Sequence, residues 1–266
     1  MAVDFNFKEK YQFNDLVDIV RILREPGGCP WDMEQTHQSI RENFLEETYE
    51  VIEAIDTNNK ELMQEELGDV LLQVLMHADM ARTDGWFTID EVANDICQKL
   101  IIRHPHVFGD ISVSSTGEVL KNWDDIKRQT KKQKSQSEAM AAIPATYPAL
   151  MKAQKVQEKA KKAGFDWRDS QGAFDKIAEE SKELQEVLAT GDKEKIEDEL
   201  GDLFFSVVNT ARFCGCDAET ALEKATQKFM KRFTVTEKLA AEKGIDMKEA
   251  SIEVLDELWD EAKKQN

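Results

Sequence analysis

Four clusters of carboxylate residues have types and spacings that could carry chemistry. They are Glu46-Glu47-x-x-Glu50, Glu66-Leu-Gly-Asp69, Glu179-Glu180-x-x-Glu183 and Glu199-Leu-Gly-Asp202. Residues three or four apart share one face of a helix, so each cluster presents its carboxylates together. If two such helices pack against each other, the grouped carboxylates repel and must take up protons or bind a cation. Oxygen ligands without His or Cys favour Mg²⁺ or Mn²⁺ over zinc.

The two kinds of cluster differ in how specific they are. Pairs of the E-x-x-E type also occur on solvated helix faces, because the chain carries 53 acidic residues. The E-L-G-D type is harder to explain in that way, because Gly inside a helix costs about 1 kcal/mol relative to Ala and Asp is a weak helix former. A metal-binding Asp, with Gly68 or Gly201 allowing close approach by a neighbour or a ligand, accounts for this choice.

The clusters recur because the chain contains an internal repeat. Residues 46–80 align with residues 179–213 without a gap, at a constant offset of 133, and 13 of these 35 positions are identical. The similarity continues outside this window with small shifts. Self-similarity of this extent predicts two copies of one domain, each with its own pair of clusters.

The elements that hold these clusters are predicted to be helices. Apolar residues recur at helical spacing after both E-L-G-D motifs, and no segment shows the period-2 alternation of a half-buried strand. We therefore expect an all-α fold, built as a tandem repeat with four to five helices per copy. A polar, basic stretch without an apolar face predicts a linker over 129–142, between an N-terminal domain at 1–128 and a C-terminal domain at 143–266.

Basic and aromatic residues also recur in both copies at helical spacing. They are Lys99, Arg103, Trp123 and Lys127 in the first copy, and Lys228, Arg232, Trp259 and Lys263 in the second. Cations beside a metal-loaded carboxylate cluster suggest a polyphosphate ligand. Each Trp has two possible roles, since it could stack on a base or pack in the core.

Composition excludes several classes of partner. The 266 residues have a formal net charge of −18, which argues against binding to a nucleic-acid backbone. No apolar run approaches the roughly 18 residues that a membrane helix needs. The four cysteines show neither CxxC pairs nor disulfide density, as expected in a reducing compartment, and the first residues lack the pattern of a signal peptide. A soluble, cytoplasmic protein is the prediction.

Several motifs together resemble the MazG nucleoside triphosphate pyrophosphohydrolases. The similarity extends over essentially the whole chain and includes the two-domain layout. It rests on the segments Gly28-Cys-Pro-Trp-Asp32, Glu46-Glu-Thr-Tyr-Glu50, Glu66-Leu-Gly-Asp69, Arg103-His-Pro-His-Val-Phe108, Gly164-Phe-Asp-Trp167 and Glu199-Leu-Gly-Asp202. This resemblance implies an all-α, Mg²⁺-dependent homodimer that cleaves nucleoside triphosphates to monophosphate and pyrophosphate. It also implies that the C-terminal copy carries the main activity.

The resemblance assigns roles by motif position. In the C-terminal copy the implied metal ligands are Glu180, Glu183, Glu199 and Asp202. The implied nucleotide contacts there are Lys228, Arg232, Trp259 and Lys263. The first copy retains the corresponding residues Glu47, Glu50, Glu66, Asp69, Lys99, Arg103, Trp123 and Lys127, so any loss of activity in that copy must come from geometry. Glu179 or Glu180 is the expected residue to position or deprotonate the attacking water.

Two other functions remain open at this point. The acidic helix faces could bind a basic protein partner in a non-catalytic scaffold, which predicts no stabilisation by metal. A phosphohydrolase that releases phosphate from the γ-position would use the same kind of metal site but give different products. The sequence does not indicate a base or sugar preference, because a lone Trp stacks on any base.

Overall fold

The computed structural model describes residues 5–119, 122, 123, 126 and 135–265, and in these residues the only regular elements are helices. The chain divides into two compact units, Met1–Lys127 (unit 1) and Arg128–Asn266 (unit 2). The all-α fold and its tandem repetition are therefore confirmed. Lys127 and most of the predicted linker lie outside the described residues.

Between residues 5 and 108 unit 1 has four long helices and two short helical turns, and residues 116–119 are helical as well. The elements in chain order are α1 (Phe13–Arg24), α2 (Pro30–Glu34), α3 (Arg41–Asp56), α4 (Lys60–Thr83), α5 (Ile89–Arg103) and α6 (Pro105–Phe108). Helix α5 begins with a reciprocal capping box formed by Thr88 and Glu91. The core brings together α1, α4 and the residue before α3 through Val20, Ile40, Leu75, Met76 and Met80.

Unit 2 repeats this plan with five long helices after one short helix. They are α7 (Gln136–Ala141), α8 (Ala149–Lys162), α9 (Ser170–Leu188), α10 (Lys193–Phe213), α11 (Ala218–Glu242) and α12 (Ile252–Lys263). Its apolar cluster lies between α11 and α12 and is formed by Leu239, Ala240, Leu258 and Ala262. Among the described helices of both units, none is long and apolar enough to cross a membrane.

Each unit contains one helical hairpin, α3–α4 or α9–α10, that carries the acidic motifs. In unit 1 the turn has Asn58 in the left-handed region at φ +51°, and the Asn59 side chain accepts a hydrogen bond from the Leu62 amide. In unit 2 Gly191 takes φ +68° and Asp192 caps the next helix in the same way. Both turns combine a residue that tolerates positive φ with an N-cap residue. The acidic motifs of the two helices are thereby folded onto each other.

Candidate active site

The acidic motifs of unit 2 meet at one point between α9 and α10. Ligand oxygens of Glu180, Glu199 and Asp202 all lie within 4.8 Å of one another, close enough to bind a single cation. Glu180 is only 5% exposed, whereas Asp202 reaches solvent. The predicted convergence of the two helices is therefore observed, although the role of these residues as ligands stays a prediction.

The charge state of this cluster reflects mutual repulsion. Burial raises the pKa of Glu199 above its usual value, and the negative charges of Glu183, Glu180, Asp202 and Asp198 raise it further. Glu183 thus lies within the electrostatic field of the cluster, as the sequence predicts, although it is not one of the three closest groups. A bound cation would relieve this repulsion directly.

Unit 1 forms a matching cluster from Glu47, Glu66 and Asp69, whose ligand oxygens also lie within 4.8 Å of one another. Glu66 is 7% exposed. Its pKa is raised by burial, by a hydrogen bond with Glu50 and by the charge of that same residue. Burial and the charges of Asp69 and Glu50 likewise raise the pKa of Glu47. All four predicted acidic residues of the first copy are therefore grouped.

One residue of the unit 2 cluster was missed by sequence reasoning. The Nζ atom of Lys176 lies 2.5 Å from a Glu180 oxygen and 2.9 Å from a Glu179 oxygen, and these hydrogen bonds raise the pKa of Lys176. Its spacing of three and four residues from the two glutamates was visible in the sequence. The repeat offset places Asn43 at this position in unit 1, so the first cluster has no equivalent cation.

A cavity of about 600 Å³ adjoins the acidic cluster of unit 2. Its wall includes Lys176, Glu180 and Asp202 and, beyond them, aromatic and amide side chains. Among the latter are Gln157, Phe165, Trp167, Phe205 and Asn209. A mixed wall with a few charged groups at one place is the usual character of a small-molecule site.

The corresponding face of unit 1 is packed into its core. The repeat offset aligns Asn209 with Met76, and the Met76 side chain is 4% exposed within the apolar core. Leu72, aligned with Phe205, packs against that same core. The described cavities of unit 1 lie elsewhere, and Glu47, Glu66 and Asp69 do not line them.

The predicted nucleotide-contacting residues of unit 2 are not among the described residues that line this cavity. Trp259 packs against Phe229, with ring centroids 5.0 Å apart, and Lys263 forms an ion pair of 2.6 Å with Asp260. Lys228 is exposed. The Nε atom of Arg232 is buried without a hydrogen-bond partner. Lys228 and Arg232 form no ion pair with another described residue, whereas Lys263 is paired.

In unit 1 two of the four predicted nucleotide contacts lie together. The guanidinium of Arg103 is 5.7 Å from the ring centroid of Trp123, which also meets the His104 ring edge-on at 5.0 Å. Lys99 is exposed on α5. The fourth residue, Lys127, lies outside the described part of the chain.

The two E-L-G-D glycines face open space. A Cβ atom added at Gly68 or Gly201 would meet no described atom within 4 Å beyond its own helix. The expectation that a protein neighbour approaches closely at these positions is therefore not met within either unit. Close approach by a ligand remains a prediction.

Comparison with known proteins identifies the family. The model of the MazG nucleotide pyrophosphohydrolase domain matches twice, at residues 35–108 and 169–238. The nucleoside triphosphate pyrophosphohydrolase/pyrophosphatase MazG of Thermotoga maritima is 49% identical over 94% of this chain and 95% of its own length. The Escherichia coli nucleoside triphosphate pyrophosphohydrolase is 42% identical over 96% and 98%, respectively. A Bacillus subtilis protein, YabN, is 46% identical over 96% of this chain but only 52% of its own length. Two family domains, each centred on one acidic hairpin, show that this chain is an enzyme of the MazG nucleotide pyrophosphohydrolase family.

Proposed function

We propose that unit 2 hydrolyses nucleoside triphosphates to a nucleoside monophosphate and pyrophosphate, and that the reaction depends on Mg²⁺. The observation that carries this proposal is the position of three carboxylates, within 4.8 Å of one another, beside a cavity of about 600 Å³. The names of the T. maritima and E. coli relatives describe the same reaction class.

The residues proposed to hold the cation in unit 2 are Glu180, Glu183, Glu199 and Asp202. Their hard oxygen atoms suit Mg²⁺, with Mn²⁺ as an alternative. The repulsion that raises the pKa of Glu199 supports this role, because a cation offsets that repulsion. When bound, such a cation lowers the pKa of an attached water and screens the triphosphate charge.

The protein's own groups would then orient the reaction at the α-phosphorus. Glu179 or Glu180 is proposed to hold the attacking water and to accept its proton, because Glu180 belongs to the acidic cluster and Glu179 shares the Lys176 ammonium with it. Lys176 already touches both carboxylates, so it is placed to exchange one of them for a phosphate oxygen. Such a cation would stabilise the charge that grows on the leaving pyrophosphate.

Further nucleotide contacts are proposed for Lys228, Arg232, Trp259 and Lys263. The unpartnered Nε atom of Arg232 and the exposed ammonium of Lys228 support this assignment, since both groups can bind phosphate.

In unit 1 the cluster of Glu47, Glu50, Glu66 and Asp69 is proposed to bind a divalent cation without turnover. The packing of Met76, the counterpart of the cavity residue Asn209, into the core of unit 1 supports this difference.

A homodimer is also proposed, because unit 2 exposes large apolar side chains on two helices. Those with between 39% and 58% of their surface exposed include Phe204, Phe205, Phe229, Met230 and Phe233. Exposed large apolar side chains, where they form one patch, commonly mark an interface between subunits. Light scattering after size exclusion would give the mass of a dimer, and a monomer at micromolar concentration would contradict it.

The free cysteines are consistent with the proposed cytoplasmic location.

The first experiment is incubation of the full chain with several NTPs and dNTPs, in Mg²⁺ or in EDTA. The expected products are monophosphate and pyrophosphate, formed only with the metal. Diphosphate plus phosphate would redirect the attack to the γ-phosphorus. Absence of turnover, together with no metal-induced rise in melting temperature, would favour the scaffold. Metal binding would instead add about 2.7 kcal/mol to the free energy of unfolding at a hundredfold excess over Kd.

A further inference from the structure

The wall of the unit 2 cavity includes a residue with a buried polar atom that no described residue satisfies. Gln157, on helix α8, is 6% exposed and lines the cavity. Its Nε2 group donates a hydrogen bond of 2.8 Å to the backbone carbonyl of Phe205. Its Oε1 atom is buried and has no hydrogen-bond partner among the described residues. An unpaired buried acceptor is costly, commonly by about 1 to 3 kcal/mol, so it points to a donor supplied by a ligand.

The orientation of the Gln157 amide is fixed by its surroundings. A backbone carbonyl only accepts hydrogen bonds, so the amide NH₂ and not the amide oxygen must face Phe205. The alternative flip would place two acceptors against each other. The Oε1 atom is therefore held as an acceptor that no described group satisfies, on a residue of the cavity wall.

A second amide on the same wall offers the complementary donor. Asn209 accepts hydrogen bonds at Oδ1 from Nε of Arg212 at 3.1 Å and from Nη2 at 2.7 Å. Two further bonds hold Arg212 to Asp166, at 3.1 and 2.5 Å. This chain of contacts fixes the Asn209 oxygen and leaves its Nδ2 group as the free end. None of the described residues accepts a hydrogen bond from it.

An aromatic surface lies beside these two amides. Trp167 and Phe165 both line the cavity, and Trp167 packs against Gly172, where an added Cβ atom would come within 2.9 Å of the ring. The indole is therefore held in place by the start of helix α9. Aromatic rings of this kind bind a nucleobase by stacking, with little dependence on its identity.

The distance between the amide side chains and the proposed metal site suits the length of a nucleotide. Asp202 and Asn209 lie seven residues apart on the same face of α10, which corresponds to about 10 Å along the helix axis. This length is comparable to the span from the α-phosphorus of a nucleotide to the edge of its base. Every nucleobase presents a hydrogen-bond donor next to an acceptor on its pairing edge, which matches one free amide oxygen and one free amide nitrogen.

We infer that the cavity of unit 2 is a nucleobase subsite, in which the Gln157 Oε1 atom accepts a hydrogen bond from the base and the Asn209 Nδ2 group donates one, beside the Trp167 ring. This inference rests on the proposed function, because it places the base of the substrate of that reaction. Purine and pyrimidine triphosphates both satisfy the pair of amides, so we expect the subsite to bind bases broadly and to contribute nothing to the binding of substrates that lack a base.

The test compares substrates with and without a base. Gln157→Leu is expected to lower kcat/KM for nucleoside triphosphates at least tenfold, mainly through KM, and to leave hydrolysis of ribose 5′-triphosphate within about twofold of wild type. Gln73→Leu is the matched control, because Gln73 of unit 1 is also a buried amide with an unpartnered oxygen. This variant should hydrolyse both substrates like wild type.

Two results would overturn the inference. An equal loss on both substrates would show that Gln157 only supports the fold, and no loss on either would show that it does not contact the base. Calorimetric titration with nucleoside monophosphates gives a readout without turnover, and Gln157→Leu should weaken that binding about tenfold relative to wild type. If wild type binds the monophosphates in this way but hydrolyses no triphosphate, the proposed function fails while the base subsite stands.

Discussion

The two units share an acidic hairpin and differ in what lies beside it. In unit 2 the face of α10 that follows Asp202 borders a cavity, and Lys176 sits among the glutamates. In unit 1 the same face of α4 is filled by Met76 and packed into the core, with Asn43 in place of the lysine. If unit 2 alone is active, as proposed, the repeated carboxylates are not sufficient for a substrate site. The residues around them would then determine which copy binds a nucleotide.

The largest expected difference between the units comes from their carboxylates. Glu199→Ala should lower nucleoside triphosphate hydrolysis by more than about a hundredfold, because it removes a proposed ligand from the catalytic cluster. Glu66→Ala, its matched variant in unit 1, should retain nearly full activity. Pyrophosphate release under Mg²⁺ measures both, and circular dichroism confirms that each remains helical. Equal losses in the two variants would mean that the copies act together.

Replacement of Asn209, which lines the cavity of unit 2, tests whether activity needs this cavity to be open. Asn209→Met introduces the side chain of unit 1 and should lower kcat/KM by at least about tenfold, since it fills the cavity and removes an amide. The reverse change, Met76→Asn, should leave activity unchanged but destabilise unit 1 by about 1 to 3 kcal/mol, because it buries an amide in an apolar core. Steady-state kinetics and urea unfolding separate these effects. Full activity in Asn209→Met would show that the cavity does not hold the substrate.

Each unit has a largely buried ion pair that includes the aligned position Asp79 or Arg212, and the charge at this position is opposite in the two units. In unit 1 Arg24 meets Asp79 at 3.1 Å, whereas in unit 2 the aligned residue is Arg212, which binds Asp166. Reversing one member, as in Asp79→Arg, should destabilise unit 1 by about 3 to 5 kcal/mol, because two guanidinium groups then face each other in a buried place.

Hydrogen exchange of α1 and α4 measures the stability that unit 1 loses in Asp79→Arg. Adding the second change Arg24→Asp should restore much of this stability. Reversal of an exposed residue, as in Lys238→Glu, should cost less than about 1 kcal/mol and serves as the control. Comparable losses in Asp79→Arg and Lys238→Glu would contradict the importance of burial.

Mild acid should lower the stability of unit 1 more than that of unit 2, because all four histidines precede residue 107. His77 and His37 stack with their Nδ1 atoms 2.7 Å apart, and burial together with the His37 charge lowers the pKa of His77. A His with a lowered pKa in the folded state binds its proton more readily when unfolded. The stability of unit 1 should therefore fall as the pH drops through the unfolded value of about 6.5 toward the lower folded value.

The expected loss is about 1.4 kcal/mol for each unit of difference between the two pKa values. His77→Thr introduces the residue that unit 2 has at this position and should remove most of the pH dependence between pH 7 and 5. Hydrogen exchange of each unit across this range is the measurement. An unchanged pH dependence in His77→Thr would assign the effect to other groups.

The smallest effect is expected at the E-L-G-D glycines. Gly68→Ala and Gly201→Ala should each stabilise their helix by up to about 1 kcal/mol, because an added Cβ atom meets nothing within 4 Å. If a ligand approaches this face, only Gly201→Ala should also lower activity. Thermal unfolding and kinetics measure the two quantities. A loss of stability in either variant would show that another surface covers the glycine.

Local patterns were sufficient to predict much of the fold. The 133-residue offset identified the repeat, and the helical spacing of apolar residues after both E-L-G-D motifs predicted the all-α class. Lys176 could also have been found, since its contacts lie within one helical turn. The different surroundings of Met76 and Asn209 could not be predicted from the sequence, because they depend on helices distant in sequence. The unpartnered oxygen of Gln157 was equally inaccessible, since it depends on where the Phe205 carbonyl points.

The most direct test of catalysis by unit 2 is hydrolysis of a dNTP in ¹⁸O-labelled water with Mg²⁺, followed by mass spectrometry of the products. Wild type and Glu66→Ala should place one ¹⁸O atom in the nucleoside monophosphate and none in pyrophosphate, and Glu199→Ala should give almost no product. Label in the pyrophosphate would contradict attack at the α-phosphorus. Labelled monophosphate from Glu199→Ala but not from Glu66→Ala would assign the reaction to unit 1.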